Sequence, residues 1–588
     1  MRPAVAIVLL ALLVPGCLSG FGAPDGREEP PPAPVPRGHP WPDGPAWPEG
    51  LQGPFGLKSI ERVTVESFDS VALRGWVLLP DLPAGTKAPV VLVSSPYWGQ
   101  QEESPEHPDF FSRFLFAPTR ALLENGYALG IFNVRGTGGS GGCFELWGPR
   151  EQRDQAVLVE WLSREAWSNG RVGMMGLSYP GTTPWMAAIQ NPPALKTLVV
   201  AGTIGDPYTW FHTPQGAAST GATYLPSLLA GLTSFGPRMR DSPDGATVNH
   251  LSVLPERLCP EVARVLTAPG KGSLDENRDA AFWNERRFTD HMANVTAATF
   301  IVHGFQDNWV SGHAQQDDPL WPLLAVAPKR LLLGQWEHEW PDRNSVTPEW
   351  SMPEWNATLL HWLDYWLKGV GPAPPLGVVD YQEALTGTWR ASTAWPPAEA
   401  RSEVLYLSKA GLSPATGGPS ATLRALPQLT GATRARADPS GSLCTAPADG
   451  TGLVAATDPV PADVVLAGNP FAYLRLTSDA PEGIVSVHLY DLAPDFQCVG
   501  AEAKGARRLA GGAADLRFHE GNLAAKPFPT GTPAPVRVDL PNLVEPLPAG
   551  HRLAVLVSRG DVADRVGRSA APALVIHSDE GAVSSHLV

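Results

Sequence analysis

The sequence predicts an α/β protein, in which an open and mostly parallel sheet with helices on both faces precedes a separate all-β sandwich. Three observations carry this expectation. Short, near-continuous apolar runs recur at 89–95, 127–134, 172–177, 195–201, 299–304 and 330–334, the pattern of strands buried on both faces. Helical patterns lie between them, and strand-helix alternation of this kind implies a parallel sheet covered on both sides. Beyond residue 372 the helical patterns stop, and short strands at 471–476, 484–489, 536–540 and 553–557 are separated by Gly, Pro and Asp turns.

The elements follow in chain order. Arg2 precedes an eleven-residue apolar run from Ala4 to Val14, which Pro15 and Gly16 end just before Cys17. A membrane span needs about 20 apolar residues, so the run reads as a secretory signal peptide. Val14-Pro15-Gly16-Cys17 resembles a lipoprotein signal, in which Cys17 is lipidated and becomes the mature N-terminus. The alternative is a plain signal peptide with an incidental Cys. Residues 1–17 are therefore expected to export the chain and to anchor it at the membrane or cell surface, or else to release it as a secreted protein. Residues 18–50 hold ten prolines and no apolar periodicity, so they read as a semi-extended tether.

Alternating segments at 62–68 and 71–79 predict antiparallel strands around a turn at Asp69-Ser70. The stretch 150–167 carries Val157, Leu158, Trp161 and Leu162 at helical spacing. A second stripe, Trp355, Leu359, Trp362, Leu363, Trp366 and Leu367, predicts a helix over 354–368 that Gly369 ends. Between about 206 and 294 strand signals lapse, which marks a helical cap inserted into the α/β body. The expected domains are thus 51–206 with 295–371 for the body, 207–294 for the cap and 372–588 for the β domain.

Composition bounds the function. The chain has 588 residues, 43% hydrophobic and 18% charged, with net charge −15. Gly and Pro number 59 and 62, about a fifth of the chain and below the level of low-complexity sequences. The acidic balance argues against a nucleic-acid partner, since phosphate contacts need clustered Lys and Arg. Five cysteines exclude a disulfide-scaffold protein but leave room for one or two bridges. Cys444 and Cys498 both fall in the β domain and are the more plausible pair.

Two serines sit among glycines. Ser178 lies in Gly176-Leu177-Ser178-Tyr179-Pro180-Gly181, and Ser140 in Gly138-Gly139-Ser140-Gly141-Gly142. A nucleophile elbow needs a strand feeding a sharp turn into a helix. The strand at 172–177 and the helical pattern at 182–190 give Ser178 that context. Ser140 has no helix starting behind it. The same glycines fit G-x-G-x-x-G, yet no helix opens directly and no strand-end acid follows at the right distance, so a dinucleotide site has no support.

The stretches YALGIFNVRGTGGSGG (127–142), WSNGRVGMMGLSYPG (167–181) and VHGFQDNWV (302–310) resemble the Xaa-Pro dipeptidyl-peptidase / cocaine esterase / α-amino-acid ester hydrolase family. The resemblance extends over most of 58–588 and departs from the family pattern at Asn133, where Asp is usual. It implies an α/β-hydrolase fold with an inserted helical cap and a C-terminal jelly-roll-like sandwich. It also implies a serine hydrolase that works without a cofactor.

A serine hydroxyl needs an imidazole to take its proton and a carboxylate to orient that imidazole. In this fold they follow in the order Ser, acid, His. Asp307 follows the strand at 299–304 and His338 the strand at 330–334, matching the family positions. The competing readings are a helix-capping Asp307 and a surface His338 paired with Glu337 or Glu339. His303 and His313 lie nearby but not at the final strand end. No His-Glu-x-x-His occurs, so no metal site is expected. The Tyr179 backbone N–H would supply one oxyanion donor, and the family resemblance implies the Tyr97 hydroxyl as the other.

Substrate contacts are read from proximity. Trp98, Trp185 and Trp309 adjoin the motif turns and are candidates for an apolar pocket, though Trp is equally at home in a core. Glu145 and Asp206 are the candidate carboxylates for a substrate amine. The resemblance divides by substrate. Ester hydrolases of amino acids carry an acidic cluster that Ser178-Tyr179-Pro180 and Asp307-Asn308-Trp309 lack. Release of N-terminal Xaa-Pro dipeptides is the leading expectation, a cocaine-esterase-like carboxylesterase the alternative, and a non-catalytic surface-binding lipoprotein the reading outside enzymes. The oligomeric state is not legible.

Overall fold

Consecutive residues of each central strand face opposite sides of one sheet, and the sequence supplies apolar side chains to both. Val90 and Leu92, Met174, Leu198 and Val200 pack into one core. Val91 and Val93, Met175, Val199 and Ala201 pack into the other. This is the period-two alternation of a strand applied to a run with no polar interruption.

The computed structural model describes residues 50–98, 118–217, 257–266, 277–307, 320–345, 347–408, 411–413, 421–423, 443–445, 452–521, 523–559, 574–577 and 586–587. The signal segment with Cys17, most of the tether, Trp309, His313 and much of the cap lie outside them.

The first ten strands are β1 (Leu57–Glu66), β2 (Ala72–Pro80), β3 (Ala88–Ser95), β4 (Ala128–Asn133), β5 (Ser168–Leu177), β6 (Leu195–Ala201), β7 (Ala298–Gly304), β8 (Lys329–Gly334), β9 (Val378–Gln382) and β10 (Trp389–Ser392). They form one sheet in the order β1-β2-β4-β3-β5-β6-β7-β8-β9-β10. β1 and β2 pair antiparallel, as the turn at Asp69-Ser70 predicts, and β2 meets β4 antiparallel. From β4 to β9 every pairing is parallel.

β9 and β10 lie beyond 372. They extend the α/β sheet, β9 parallel to β8 and β10 antiparallel to β9. Two short strands following a Pro- and Gly-rich stretch read like the β domain, but the edge of β8 offers them unpaired backbone groups. An open edge of this kind recruits strands.

Helices cover both faces. On one side lie α1 (Thr119–Glu124), through Leu122 and Leu123, and the distant helix at Trp355–Leu363. On the other lie α2 (Pro149–Arg164), through Leu158, Val159 and Leu162, and α3 (Tyr179–Ala188), through Trp185 and Met186. α4 (Trp355–Leu363) carries the predicted stripe and continues into one wider π turn, Asp364–Lys368. Gly369, at φ 73°, ends it in the left-handed conformation that glycine adopts without strain.

The described part of the cap holds short helices at Pro207–Phe211, Pro260–Leu266 and Ala281–Asn284, and a 3-10 turn at Phe288–Asn294. Among the described residues the named strands of the terminal domain pair antiparallel. Phe471–Ser478 and Ala534–Asp539 pair in one sheet, Ile484–Val499 lies between Glu502–Asp515 and Arg552–Arg559 in a second, and Val464–Gly468 pairs with Leu543–Leu547 apart from both. Leu474, Leu476, Val487, Val538 and Val555 fill the space between. Cys444–Cys498 forms a disulfide here, as expected from their shared domain, and a second bridge joins Cys143 to Cys259. Gln215 fastens the start of the cap to this domain, its carbonyl accepting the Asp515 N–H at 3.0 Å.

Candidate active site

β5 runs straight into α3, and Ser178 is the hinge between them. Its backbone sits at φ 73°, ψ −130°, a region a residue with a Cβ rarely occupies. Strain of this kind costs on the order of 1–3 kcal/mol and persists only where the surroundings enforce it. The enforcement is local. The Ser178 N–H donates to the Ala201 carbonyl at 3.0 Å, and the Ser178 carbonyl accepts from Gly181 and Thr182 at 2.9 and 3.0 Å. Gly181 is required by close approach, since a Cβ there would lie 2.4 Å from the Ala201 oxygen. The turn thus lifts Ser178 to the carboxyl end of the sheet, the place of a nucleophile elbow.

Two further turns meet beside it. The Phe305 N–H donates to the Gly334 carbonyl at 2.8 Å and Gln306 to the Trp336 carbonyl at 3.1 Å, so the chains leaving β7 and β8 are bonded to each other. That pairing places Asp307 Oδ2 2.8 Å from His338 Nδ1. Asp307 is buried and His338 partly exposed. The pair packs on Gly202, whose absent Cβ would lie 3.1 Å from both Asp307 Oδ2 and His338 Nδ1. Gly202 directly follows Ala201, which holds Ser178. One backbone segment therefore supports the serine and the His–Asp pair. His303 Nε2 approaches Asp307 Oδ2 from β7 at 3.5 Å.

Ser140 stands elsewhere in chemical terms. Its buried hydroxyl donates to the Asn133 carbonyl at 3.0 Å and accepts the Arg74 N–H at 2.9 Å. The glycine loop is fixed by Arg135, whose buried guanidinium bonds Asp154 through Nε and Nη2 at 2.7 and 2.6 Å.

Tyr97, just beyond β3, meets the Tyr179 ring edge-on, with centroids 6.1 Å apart and planes at 73°. Tyr179 begins α3, so its N–H belongs to the unsatisfied first turn of a helix, where anions are favoured. Its ring stacks on Trp147 at 5.0 Å. Its hydroxyl donates to Glu151 Oε1 at 2.6 Å.

The other candidates divide. Trp185 is fully buried, its indole N–H donating to Thr203 Oγ1 at 2.9 Å, and Trp98 is buried in the core on the other face of the sheet. Both are packed as core side chains. Glu145 is buried and caps α2, accepting the Arg150 and Glu151 N–H groups at 2.8 and 3.0 Å while pairing with the Arg150 guanidinium. Asp206 caps Pro207–Phe211 and pairs with Arg278 at 2.6 Å, with Arg287 at 3.9 Å. Each carboxylate already faces a guanidinium.

Sequence reading missed Glu151 and Trp147. An acid in the first turn of a helix reads as a partner for the helix dipole, and nothing in the sequence marks it as facing the residue after Ser178. Leu146 and Trp147, at φ 50° and 65°, form a strained turn that only the structure reveals.

Known proteins resemble the chain along most of its length. A Streptomyces avermitilis protein named "Putative Xaa-Pro dipeptidyl-peptidase" is 26% identical, over 81% of this chain and 74% of its own. The cocaine esterase of a Rhodococcus species is 25% identical over 84% of this chain and 90% of its own. The chain spans little more than half the length of two Bacillus relatives, 58% and 56%. An α-amino acid ester hydrolase structure has a TM-score of 0.68 at 19% identity, covering 90% of this chain and 96% of its own. An aminopeptidase structure from a marine sediment archaeon has 0.67 at 20%, covering 92% and 98%. At those identities the structures speak for the fold alone. Residues 69–340 match the family model described as X-Pro dipeptidyl-peptidase (S15 family), and residues 369–562 match that of the X-Pro dipeptidyl-peptidase C-terminal non-catalytic domain. The two matches together cover about four fifths of the chain, which belongs to the X-Pro dipeptidyl-peptidase (S15) family of serine hydrolases.

Proposed function

We propose that the protein releases N-terminal Xaa-Pro dipeptides from peptides through an acyl-enzyme formed on Ser178. The observation that carries the mechanism is the Asp307–His338 pair seated on the backbone that also holds the strained Ser178 turn. Asp307 fixes the imidazole with its proton on Nδ1, leaving Nε2 to take the Ser178 proton as the hydroxyl attacks. The tetrahedral oxyanion is stabilised by the Tyr179 N–H and the Tyr97 hydroxyl. His338 then protonates the leaving amine, and water cleaves the acyl-enzyme by the same steps.

Fluorophosphonate labelling tests the nucleophile. Ser178→Ala should abolish labelling and turnover, whereas Ser140→Ala should keep both within a few-fold. An adduct mapped to another serine defeats the assignment.

One observation favours a second reading, a small-ester carboxylesterase. Counting two residues from a free amine needs a carboxylate open to the substrate ammonium, and both candidates, Glu145 and Asp206, are paired with arginines. The peptidase reading expects cleavage of Xaa-Pro anilides but not of their N-acetylated forms. Turnover of short-chain esters without turnover of Xaa-Pro anilides decides for the esterase.

The signal-like start supports export and anchoring through a lipidated Cys17. Cys17→Ser should move the full chain from the membrane fraction to the soluble one. An unchanged distribution removes the lipid anchor.

A further inference from the structure

We infer that Glu151 is a positioning residue for the oxyanion hole, holding Tyr179 from behind so that its N–H and the neighbouring Tyr97 ring keep their places. The inference rests on the reading of Ser178 as nucleophile and Tyr179 as oxyanion donor.

Glu151 is fully buried in the first turn of α2, where a solvated acid would otherwise suffice to favour the helix dipole. One carboxyl oxygen meets the Tyr179 hydroxyl at 2.6 Å, and the other accepts the Trp147 N–H at 3.1 Å. Trp147 is held at positive φ and stacks on the same Tyr179 ring. The Tyr179 ring is thus gripped by its hydroxyl and by one face, and it presents its side to Tyr97. A buried polar link is worth keeping only if it fixes something, since an apolar contact would cost less to bury.

The charges around Glu151 are those of each element packed on it. Glu145 lies in the preceding loop, paired with Arg150, and Asp154 lies one turn on, paired with Arg135. Arg286 from the cap donates to the Glu145 and Leu146 carbonyls, while the Tyr179 hydroxyl meets Glu151 from the elbow side. Burial, with Glu145 and Asp154 adding to it against the Tyr179 bond, pushes Glu151 up to about 8. The neutral acid is therefore favoured at neutral pH, with one oxygen accepting the Trp147 N–H and the other hydrogen-bonded to the Tyr179 hydroxyl. Ionisation above that pH adds a negative charge behind the place where the oxyanion develops, which opposes the transition state.

Steady-state kinetics on four variants test this. Glu151→Leu and Tyr179→Phe should each lower kcat about tenfold with KM within about twofold, less than the ~10²–10³ of deleting an oxyanion donor outright. The double variant should be no worse than the poorer single one, because both remove one link. Glu151→Gln, which mimics the neutral acid, should recover most of the loss and lack the fall in kcat that the unaltered enzyme shows as pH rises through about 8. Unchanged kcat in Glu151→Leu with only a lower melting temperature, additive losses in the double variant, or persistence of the alkaline limb in Glu151→Gln overturns the inference. Fluorophosphonate labelling of the unaltered enzyme separates the two failures. Absence of a Ser178 adduct removes the catalytic reading and this inference together, whereas a labelled Ser178 with any of the overturning results removes this inference alone.

Discussion

Asp307 Oδ2 lies 2.8 Å from His338 Nδ1, and the turns carrying them are bonded to each other rather than to the rest of the chain alone. An amide in place of the carboxylate would keep the shape but let the imidazole adopt the other tautomer, with Nε2 protonated and unable to accept from Ser178. Asp307→Asn should therefore lower kcat by roughly 10³–10⁴ with little change in KM. His303, 3.5 Å from the same oxygen, carries no carboxylate to stand in for Asp307. A loss smaller than tenfold would show that Asp307 is not the orienting acid.

Tyr97→Phe keeps the edge-on contact with Tyr179 and removes only the hydroxyl. Loss of one oxyanion donor should cost ~10²–10³ in kcat at nearly constant KM. A rise in KM alone would make Tyr97 a substrate-binding side chain.

The strands of the sheet were legible because burial on both faces leaves unbroken apolar runs, and the elbow because glycines and a strand flank Ser178. β9 and β10 were not, since a short edge strand is specified by its neighbour's open hydrogen bonds more than by its own residues. Trp98 and Trp185 show another limit. Nearness to a motif in sequence does not say which face of an element a side chain takes, and both face a core. Glu145 and Asp206 could be found as acids near the site, but their arginine partners come from a helix start and from the cap. Neither pairing leaves a periodic trace in the sequence.

The Cys143–Cys259 bridge was hidden for the same reason, as it joins the glycine-loop region to the cap across 116 residues. Beside it, Phe144 and Arg257 share a backbone bond at 2.7 Å, and Phe144 packs 6.0 Å from the Tyr179 ring. Closing a loop of that length stabilises by about 4–5 kcal/mol in the chain-entropy model. Replacing both cysteines with serine should lower the unfolding midpoint, and added reductant should then lower it less than in the unaltered protein. Equal sensitivity to reductant in both would mean that the bridge does not form.

Stability should also depend on pH through Glu151. Its folded-state value is raised to about 8, against about 4.3 for an unfolded glutamate. Between those values the native state keeps a proton that the unfolded chain has released. The contribution is therefore fully present below about 4.3, declines as pH rises, and is lost by about 8, with a slope of up to about 1.4 kcal/mol per pH unit. Glutamine carries no titrating proton, so Glu151→Gln removes this slope while leaving every other group in place. Urea midpoints measured at pH 5, 6.5 and 8 should converge for the two proteins toward low pH, with the unaltered protein falling further as pH rises. Parallel curves would mean that Glu151 is ionised in the folded protein across the whole range, and that the Tyr179 hydroxyl donates to a buried carboxylate throughout.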